Sequence, residues 1–244
     1  MTGSPDAPAV QTGESVAKVR AVVIDHGAGN LVSIGQALVA VGAEVRLATS
    51  PIEIEPADLL VLPGVGAAAP AMARLNERDL AGPIRRWIEA DRPFLGICLG
   101  LQLLFDGSDE DGASTLRVVP GRTILLEQAP TLPHIGWNQV VRRREHPLFD
   151  GIDDGADFYF VHSFAGRPSP PASDWILAET SHGGPFVSAV ARGNRLGVQF
   201  HPERSGMDGL RLLANVVALA AAFRETSPPA SSPVGTAPAD LVVG

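Results

Sequence analysis

The chain is 244 residues long, 45% hydrophobic and carries a formal net charge of −8. That length suits one α/β domain with a full core, and the acidic balance argues against a nucleic-acid or anionic-membrane surface as the main partner. A single cysteine cannot make an internal disulfide or a zinc site, so a reducing cytoplasm is the expected compartment.

Residues 1–18 are polar and irregular, with no apolar h-region, so no signal peptide is expected there. Residues 225–244, rich in Pro, Ser and Ala, are expected to be a disordered tail, leaving 19–224 as the ordered domain. Val19–Asp25 predicts a strand, followed by the turn His26-Gly27-Ala28-Gly29 and a helix that Asn30 opens and Gly42 closes. Glu44–Ala48 and Asp58–Leu62 predict strands, the second ending in Pro63-Gly64-Val65-Gly66. A helical stretch then runs to about Asp91, broken at Gly82-Pro83. Pro93 leads a short apolar strand into Cys98, and leucines at 99, 101, 103 and 104 predict a buried helix after it. Such alternation implies a mostly parallel sheet with helices on both faces.

Beyond the acidic run Asp106–Asp111, read as a solvated loop, the pattern changes to short strands. These are Thr123–Leu126, Asn138–Arg142, Phe158–Phe164, Trp175–Glu179, Phe186–Ala191 and Arg195–Phe200, before a helix over about Asp208–Phe223. The longest apolar runs, Phe94–Phe105 and Leu212–Phe223, read as too short to span a bilayer.

The chemistry centres on Cys98. Gly96 and Gly100 stand two residues to each side, as a tight strand-to-helix turn requires if it is to hold a side chain in a strained pose. A thiol there lies at a helix N-terminus, where the dipole favours thiolate. At neutral pH an ordinary thiol is only a few per cent ionised, so a nucleophile needs a base. Far downstream stands Gly197-Val198-Gln199-Phe200-His201-Pro202-Glu203. The proline forces His201 into extended geometry, and residues two apart in an extended segment face the same way. Glu203 can then fix the His201 tautomer and leave the other ring nitrogen for the thiol. The reaction that fits is acyl transfer through a thioester, with the N–H of Leu99 and one from Val65 or Gly66 as oxyanion donors. Each such donor is worth on the order of 10²–10³ in rate.

By default a lone cysteine in an apolar run is an inert core residue; the flanking glycines and the His-Pro-Glu string reverse that reading here. His134, His146 and His182 read as structural, and His162 divides evenly between core and site. Met72 and Trp87 read as helix packing. No Gly-x-Gly-x-x-Gly follows the first strand, so a phosphate-binding fingerprint is not met.

Gly96-Ile97-Cys98-Leu99-Gly100-Leu101-Gln102 and Gln199-Phe200-His201-Pro202-Glu203 together resemble the class I (triad) glutamine amidotransferases, over about 19–223. The resemblance implies a flavodoxin-like three-layer α/β domain with a small additional antiparallel sheet, releasing ammonia from L-glutamine without cofactor or metal. It implies a catalytic triad of Cys98, His201 and Glu203, an oxyanion hole from Val65 and Leu99, and glutamine contacts from Gly64, Gly66, Gln102, His162, Ser163 and Phe164. Four further strings are similar to glutaminase subunits of imidazole glycerol phosphate synthases. They are Gly27-Ala28-Gly29-Asn30-Leu31, Leu62-Pro63-Gly64-Val65-Gly66, Pro133-His134-Ile135-Gly136-Trp137-Asn138 and Tyr159-Phe160-Val161-His162-Ser163. That likeness implies a heterodimer with a cyclase subunit in histidine biosynthesis, met by Trp137, Asn138 and Arg204, with no nucleic acid or membrane involved. Three positions depart from the usual pattern: His26 for Tyr, Arg204 for Lys, and Ala113-Ser114-Thr115-Leu116 for a Gly-rich stretch. The alternatives are a paralogous glutaminase serving another ammonia-consuming synthase, a free-standing γ-glutamyl hydrolase, and an inactive binding module, which the intact triad argues against.

Overall fold

Arg20–Ile24 forms β1 because its side chains feed two cores at once: Ala21 and Val23 face one, Val22 and Ile24 the other. A computed structural model describes residues 17–226, so the expected terminal extensions lie almost wholly outside the described residues. After β1 come α1 (Leu31–Ala40), β2 (Glu44–Ala48), β3 (Leu59–Leu62), α2 (Ala68–Glu77), α3 (Ala81–Glu89), β4 (Phe94–Ile97) and α4 (Leu99–Gln102). The second half holds β5 (Gly107–Ser108), β6 (Gly121–Leu125), β7 (His134–Gln139), β8 (Val141–Arg142), β9 (Asp157–His162), β10 (Phe164–Pro168), β11 (Ile176–Ser181), β12 (Pro185–Arg192), β13 (Arg195–Val198) and α5 (Gly206–Thr226).

The main sheet has the order β2-β1-β3-β4-β13-β12-β11-β8. Its pairs from β2 to β13 are parallel, and the pairs beyond are antiparallel. The parallel part follows the flavodoxin-like order, in which ligands gather outside the carboxyl ends of the strands. One face is covered by α1 and α5 through Ile34, Leu38, Leu212, Leu213 and Val216, the other by α2, α3 and α4 through Leu75, Ile84, Trp87 and Leu101. Two small sheets, β10-β6-β5 and β7-β9, stand beside this frame.

Asn30 caps α1 as expected, its side chain accepting the Ser33 N–H at 3.1 Å. Several expectations need correction. Asn138–Arg142 divides between β7 and β8, which belong to different sheets; the acidic run holds the buried strand β5; and Pro202–Arg204 is a 3-10 turn, not an extended segment. The break between α2 and α3 falls at Asp79 (φ 56°), not at Gly82-Pro83. Pro83 lies in the first turn of α3, where its missing N–H removes no helical bond. The helix after Cys98 is one turn long, because the Leu103 and Leu104 carbonyls accept N–H groups from Leu116, Val118 and Val119. Phe158–Phe164 is two strands: the chain leaves β7-β9 at Ser163 and enters the β10-β6 sheet. Finally, α5 spans 21 residues and by length and composition is long enough to cross a membrane, while its apolar stripe packs on the sheet.

Candidate active site

The turn after β4 places Cys98 at φ 52°, ψ −106°, a conformation costly for any residue with a Cβ. Two contacts hold it there. The Cys98 N–H donates to Val198 O at 2.8 Å, and the Gln102 N–H donates to Cys98 O at 3.1 Å. The flanking glycines are demanded by close approach: a Cβ on Gly100 would stand 1.7 Å from Leu62 O, and one on Gly96 would stand 2.7 Å from Gly100 O. Cys98 itself is 5% exposed.

His201 arrives from the end of β13, the neighbour of β4. Its N–H donates to Tyr159 O at 2.9 Å, and its Nδ1 donates to Glu203 Oε1 at 2.8 Å, with both side chains buried. That bond turns Nε2 towards the thiol, and Nε2 is buried with no hydrogen-bond partner of its own. Burial disfavours the imidazolium, but Cys98 and Glu203 beside it outweigh burial and push His201 up to about 10. The Cys98 thiol and the Glu203 carboxylate thus both lie beside the ring.

The other expected residues gather around this pair. The Pro63–Gly66 loop lies on the elbow: a Cβ on Gly64 would be 3.2 Å from Leu99 Cβ and 2.9 Å from His26 Nε2. Val65 and Gly66 are exposed at the mouth, Gly66 with φ 89°, and the Leu99 N–H, first in α4, has no partner within the helix. Gln102 is buried and donates to Phe164 O at 2.8 Å and to Gln199 Oε1 at 3.2 Å. His162 is buried against the site, with Ser163 and Phe164 half-buried beside it. On the outer side of β9, Trp137 is 57% exposed, and Arg204 stacks over the Tyr159 ring at 4.1 Å. Asn138 is half-buried, and its amide donates inward to Ser181 O at 2.9 Å.

Four residues beside the site carry no role in the sequence reading. Gln199 Nε2 donates to the Cys98 sulfur at 3.5 Å; its place two residues before His201 on an extended segment was a usable signal. Ser205 Oγ donates to His201 O at 2.7 Å and accepts the Tyr159 N–H at 3.0 Å, clamping the histidine to β9. His26 is buried, and its Nε2 donates to Pro63 O at 3.0 Å beneath the Pro63–Gly66 loop. Its desolvated ring is held below the ordinary histidine value. His134, read as structural, sits 3.2 Å from His162. For Ser205, His26 and His134 only the tertiary contacts reveal the neighbourhood. A cavity of about 400 Å³ opens nearby between β6, β10 and β12, lined by Glu127, Arg167, His182 and Phe186 among others, and does not include Cys98.

A parallel sheet that presents a strained cysteine, a carboxylate-held histidine and a glycine loop at one edge defines a glutamine amidotransferase of class I. The family description "Glutamine amidotransferase class-I" matches residues 22–219, and the chain belongs to this family. Within it the chain is similar to "Imidazole glycerol phosphate synthase subunit HisH" of Synechococcus sp. (strain JA-2-3B'a(2-13)), 46% identical over 215 residues, covering 86% of this chain and 98% of that one. It is also similar to "Imidazole glycerol phosphate synthase hisHF, chloroplastic" of Arabidopsis thaliana, 44% identical over 194 residues, covering 78% of this chain and 33% of that longer one. Among solved structures, PurLQS from Thermotoga maritima superposes with a TM-score of 0.66 at 18% identity, covering 83% of this chain and 99% of that one, a likeness of fold alone.

Proposed function

We infer that this chain is the glutaminase subunit of an imidazole glycerol phosphate synthase, acting in the cytoplasm on L-glutamine and delivering ammonia to a cyclase subunit in histidine biosynthesis. The observation that carries the chemistry is the buried His201–Glu203 bond of 2.8 Å aimed at the elbow that holds Cys98. Cys98 Sγ, its proton already held on His201 Nε2 by the raised affinity of that ring, attacks the side-chain amide carbon of glutamine. The amide oxygen becomes an oxyanion facing the Leu99 N–H and the Val65 loop. As the tetrahedral species collapses, His201 returns the proton to the leaving nitrogen, so ammonia departs and a γ-glutamyl thioester remains. His201 then takes a proton from water, whose oxygen attacks the thioester, and glutamate leaves as the thiol is restored. Glu203 stays ionised and steadies the imidazolium in both halves.

Support for the partner comes from the named relatives and from the surface beside the site. Trp137 packs edge-on to Tyr159 at 6.2 Å, with Arg204 over the same ring and Met207 79% exposed nearby. Trp, Tyr and Arg are the side chains that most often anchor protein interfaces. The deciding experiment is glutamine hydrolysis by the purified chain, alone and mixed with a histidine-pathway cyclase subunit and its nucleotide ligand. Strong stimulation by the cyclase supports the reading. Full turnover without any partner would replace it with a free-standing hydrolase.

A further inference from the structure

Asn138 stands on β7 beside Trp137, on the face assigned above to the partner, yet its amide points into the protein. Its orientation is fixed twice over: Oδ1 accepts the Gln139 N–H at 2.8 Å, and Nδ2 donates to Ser181 O at 2.9 Å. The same Nδ2 lies 3.2 Å from His134 Nε2. Since Nδ2 can only donate, His134 Nε2 must be the acceptor, and the ring proton must sit on Nδ1. His134 Nδ1 then donates to His162 Nε2 at 3.2 Å, which forces the His162 proton onto Nδ1, where it meets Phe164 O at 2.9 Å. A carbonyl is an acceptor, so the direction deduced from one end agrees with the requirement at the other.

The chain does not stop at that carbonyl. Phe164 O also accepts from Gln102 Nε2, which donates to Gln199 Oε1 as well, and Gln199 Nε2 reaches the Cys98 sulfur. Every ring in the path is walled in: His134 stacks between His182, centroids 4.0 Å apart, and Phe160 at 5.0 Å, while Phe186 meets His162 edge-on at 5.0 Å. Burial, with His182 alongside, lowers His134 to about 4. Burial also lowers His162 to about 3, although the Phe164 carbonyl opposes it. Both rings are thus neutral at pH 7, the state in which one nitrogen donates and the other accepts.

We propose that His134 and Gln199 are positioning residues, links in one continuous hydrogen-bond network that joins Asn138 on the docking face to the Cys98 sulfur, its two arms, each of fixed direction, meeting where His162 and Gln102 both donate to Phe164 O. The chain fixes the tautomer of His162 and the pose of the Gln102 and Gln199 amides beside the nucleophile. It gives a partner that engages the Asn138 strand a direct mechanical route to the reacting atom.

This rests on the glutaminase reading, and its test has an arm that does not. In the full-length chain with ¹⁵N-labelled histidine, long-range ¹H–¹⁵N spectra at pH 7 should show His134 and His162 neutral and protonated at Nδ1. A proton on Nε2 of either ring overturns the proposal whatever the activity. His134→Asn keeps a donor at the Nδ1 position, whereas His134→Gln keeps only the Nε2 position. In the assembled complex His134→Gln should therefore lower kcat/KM for glutamine about 10- to 100-fold, the range for a misplaced reacting group, with His134→Asn restoring most of it. Equal loss in both variants, or loss in neither, would overturn the proposal. Should both fold poorly, Asn138→Asp at the half-exposed end must move the His134 proton to Nε2, and an unchanged spectrum sinks the idea. A wild-type complex that hydrolyses no glutamine, with the tautomers as stated, would refute the proposed function and leave the chain standing.

Discussion

At the scale of single residues the site is a contest between burial and charge. His201 is nine-tenths hidden, which by itself would discharge it, yet Cys98 and Glu203 push it up to about 10. Its folded value lies above the unfolded one of about 6.5. The stability it contributes is therefore fully present below that pH and is lost as pH rises through about 10. Glu203→Gln keeps an acceptor for Nδ1 and removes the charge. The His201 value then falls, so the limb of the pH–rate profile on which the imidazolium is lost moves to lower pH, and kcat falls about 10²- to 10⁴-fold, the range of general acid–base catalysis. A pH–kcat profile of the assembled complex measures both effects, and a profile superimposable on wild type would refute the role given to Glu203. Cys98→Ala removes the only nucleophile on this path, and kcat should fall at least about 10³-fold, measured as ammonia released by the complex. The side chain is small and the elbow is shaped by its glycines, so circular dichroism should remain that of the wild type.

Among the elements, the elbow is a fit between β3, β4 and α4 with no space to give. Gly100→Ala would drive a methyl group into Leu62 O, 1.7 Å from the added carbon, so the turn must shift and carry the thiol with it. Overpacking of this kind costs about 1–3 kcal/mol. We expect a thermal midpoint several degrees lower and a loss of glutaminase activity larger than the stability loss explains; a variant as active as wild type would show that the contact can relax. Local chemistry made this half of the fold legible: Asn30 as cap, the apolar run of β1, Glu44–Ala48 as a strand, and glycines framing Cys98 are all decided by residues within a few positions. The misreadings share a different cause. Phe158–Phe164 is rich in aromatic residues with no Gly or Pro to mark a break, yet Ser163 marks a change of sheet because β9 pairs with β7 and β10 with β6. The helix after Cys98 ends early because a distant loop, 116–119, claims its carbonyls. At the site the bond between His201 and Glu203 could be anticipated from their spacing, although Glu203 reaches the ring from a 3-10 turn and not from an extended segment, whereas Ser205 and His134 meet partners 46 and 28 residues away. Periodicity carries no such information.

Taken whole, the molecule puts its reactive groups and its exposed aromatic patch at the same carboxyl edge of the sheet, and closes the opposite edge with ions. There Asp58, buried at 5% side-chain exposure, accepts from Arg20 and from Arg224 of α5. Arg224 also donates to the Ala17 and Lys18 carbonyls, tying the start of β1 to the end of α5. Burial alone would raise the Asp58 carboxyl, but the Arg20 bonds outweigh it and hold it below the ordinary value. Its contribution to stability is therefore present above an unfolded pKa of about 3.9 and lost as pH falls through the lower folded one. A second group of protons acts in a higher window. His134 and His162 fall to about 4 and about 3 on folding, and His26 is lowered by its burial, so all three bind protons more weakly folded than unfolded. Stability they contribute is intact above about 6.5, and it drains away as pH falls from there towards their folded values. The thermal midpoint of the wild type should accordingly drop between pH 6.5 and 4.5, a range in which the lowered Asp58 carboxyl stays ionised, with uptake of more than one proton on unfolding. His134→Asn deletes one of those sites and should flatten the slope by close to one proton. Asp58→Asn should lower stability by about 1–3 kcal/mol at pH 7, the cost of a broken buried bond to a charged group, and leave the slope between pH 6.5 and 4.5 as it was. Calorimetry across that range separates the two: a midpoint independent of pH above 4.5 would mean that these rings are not desolvated in the way their neighbours require.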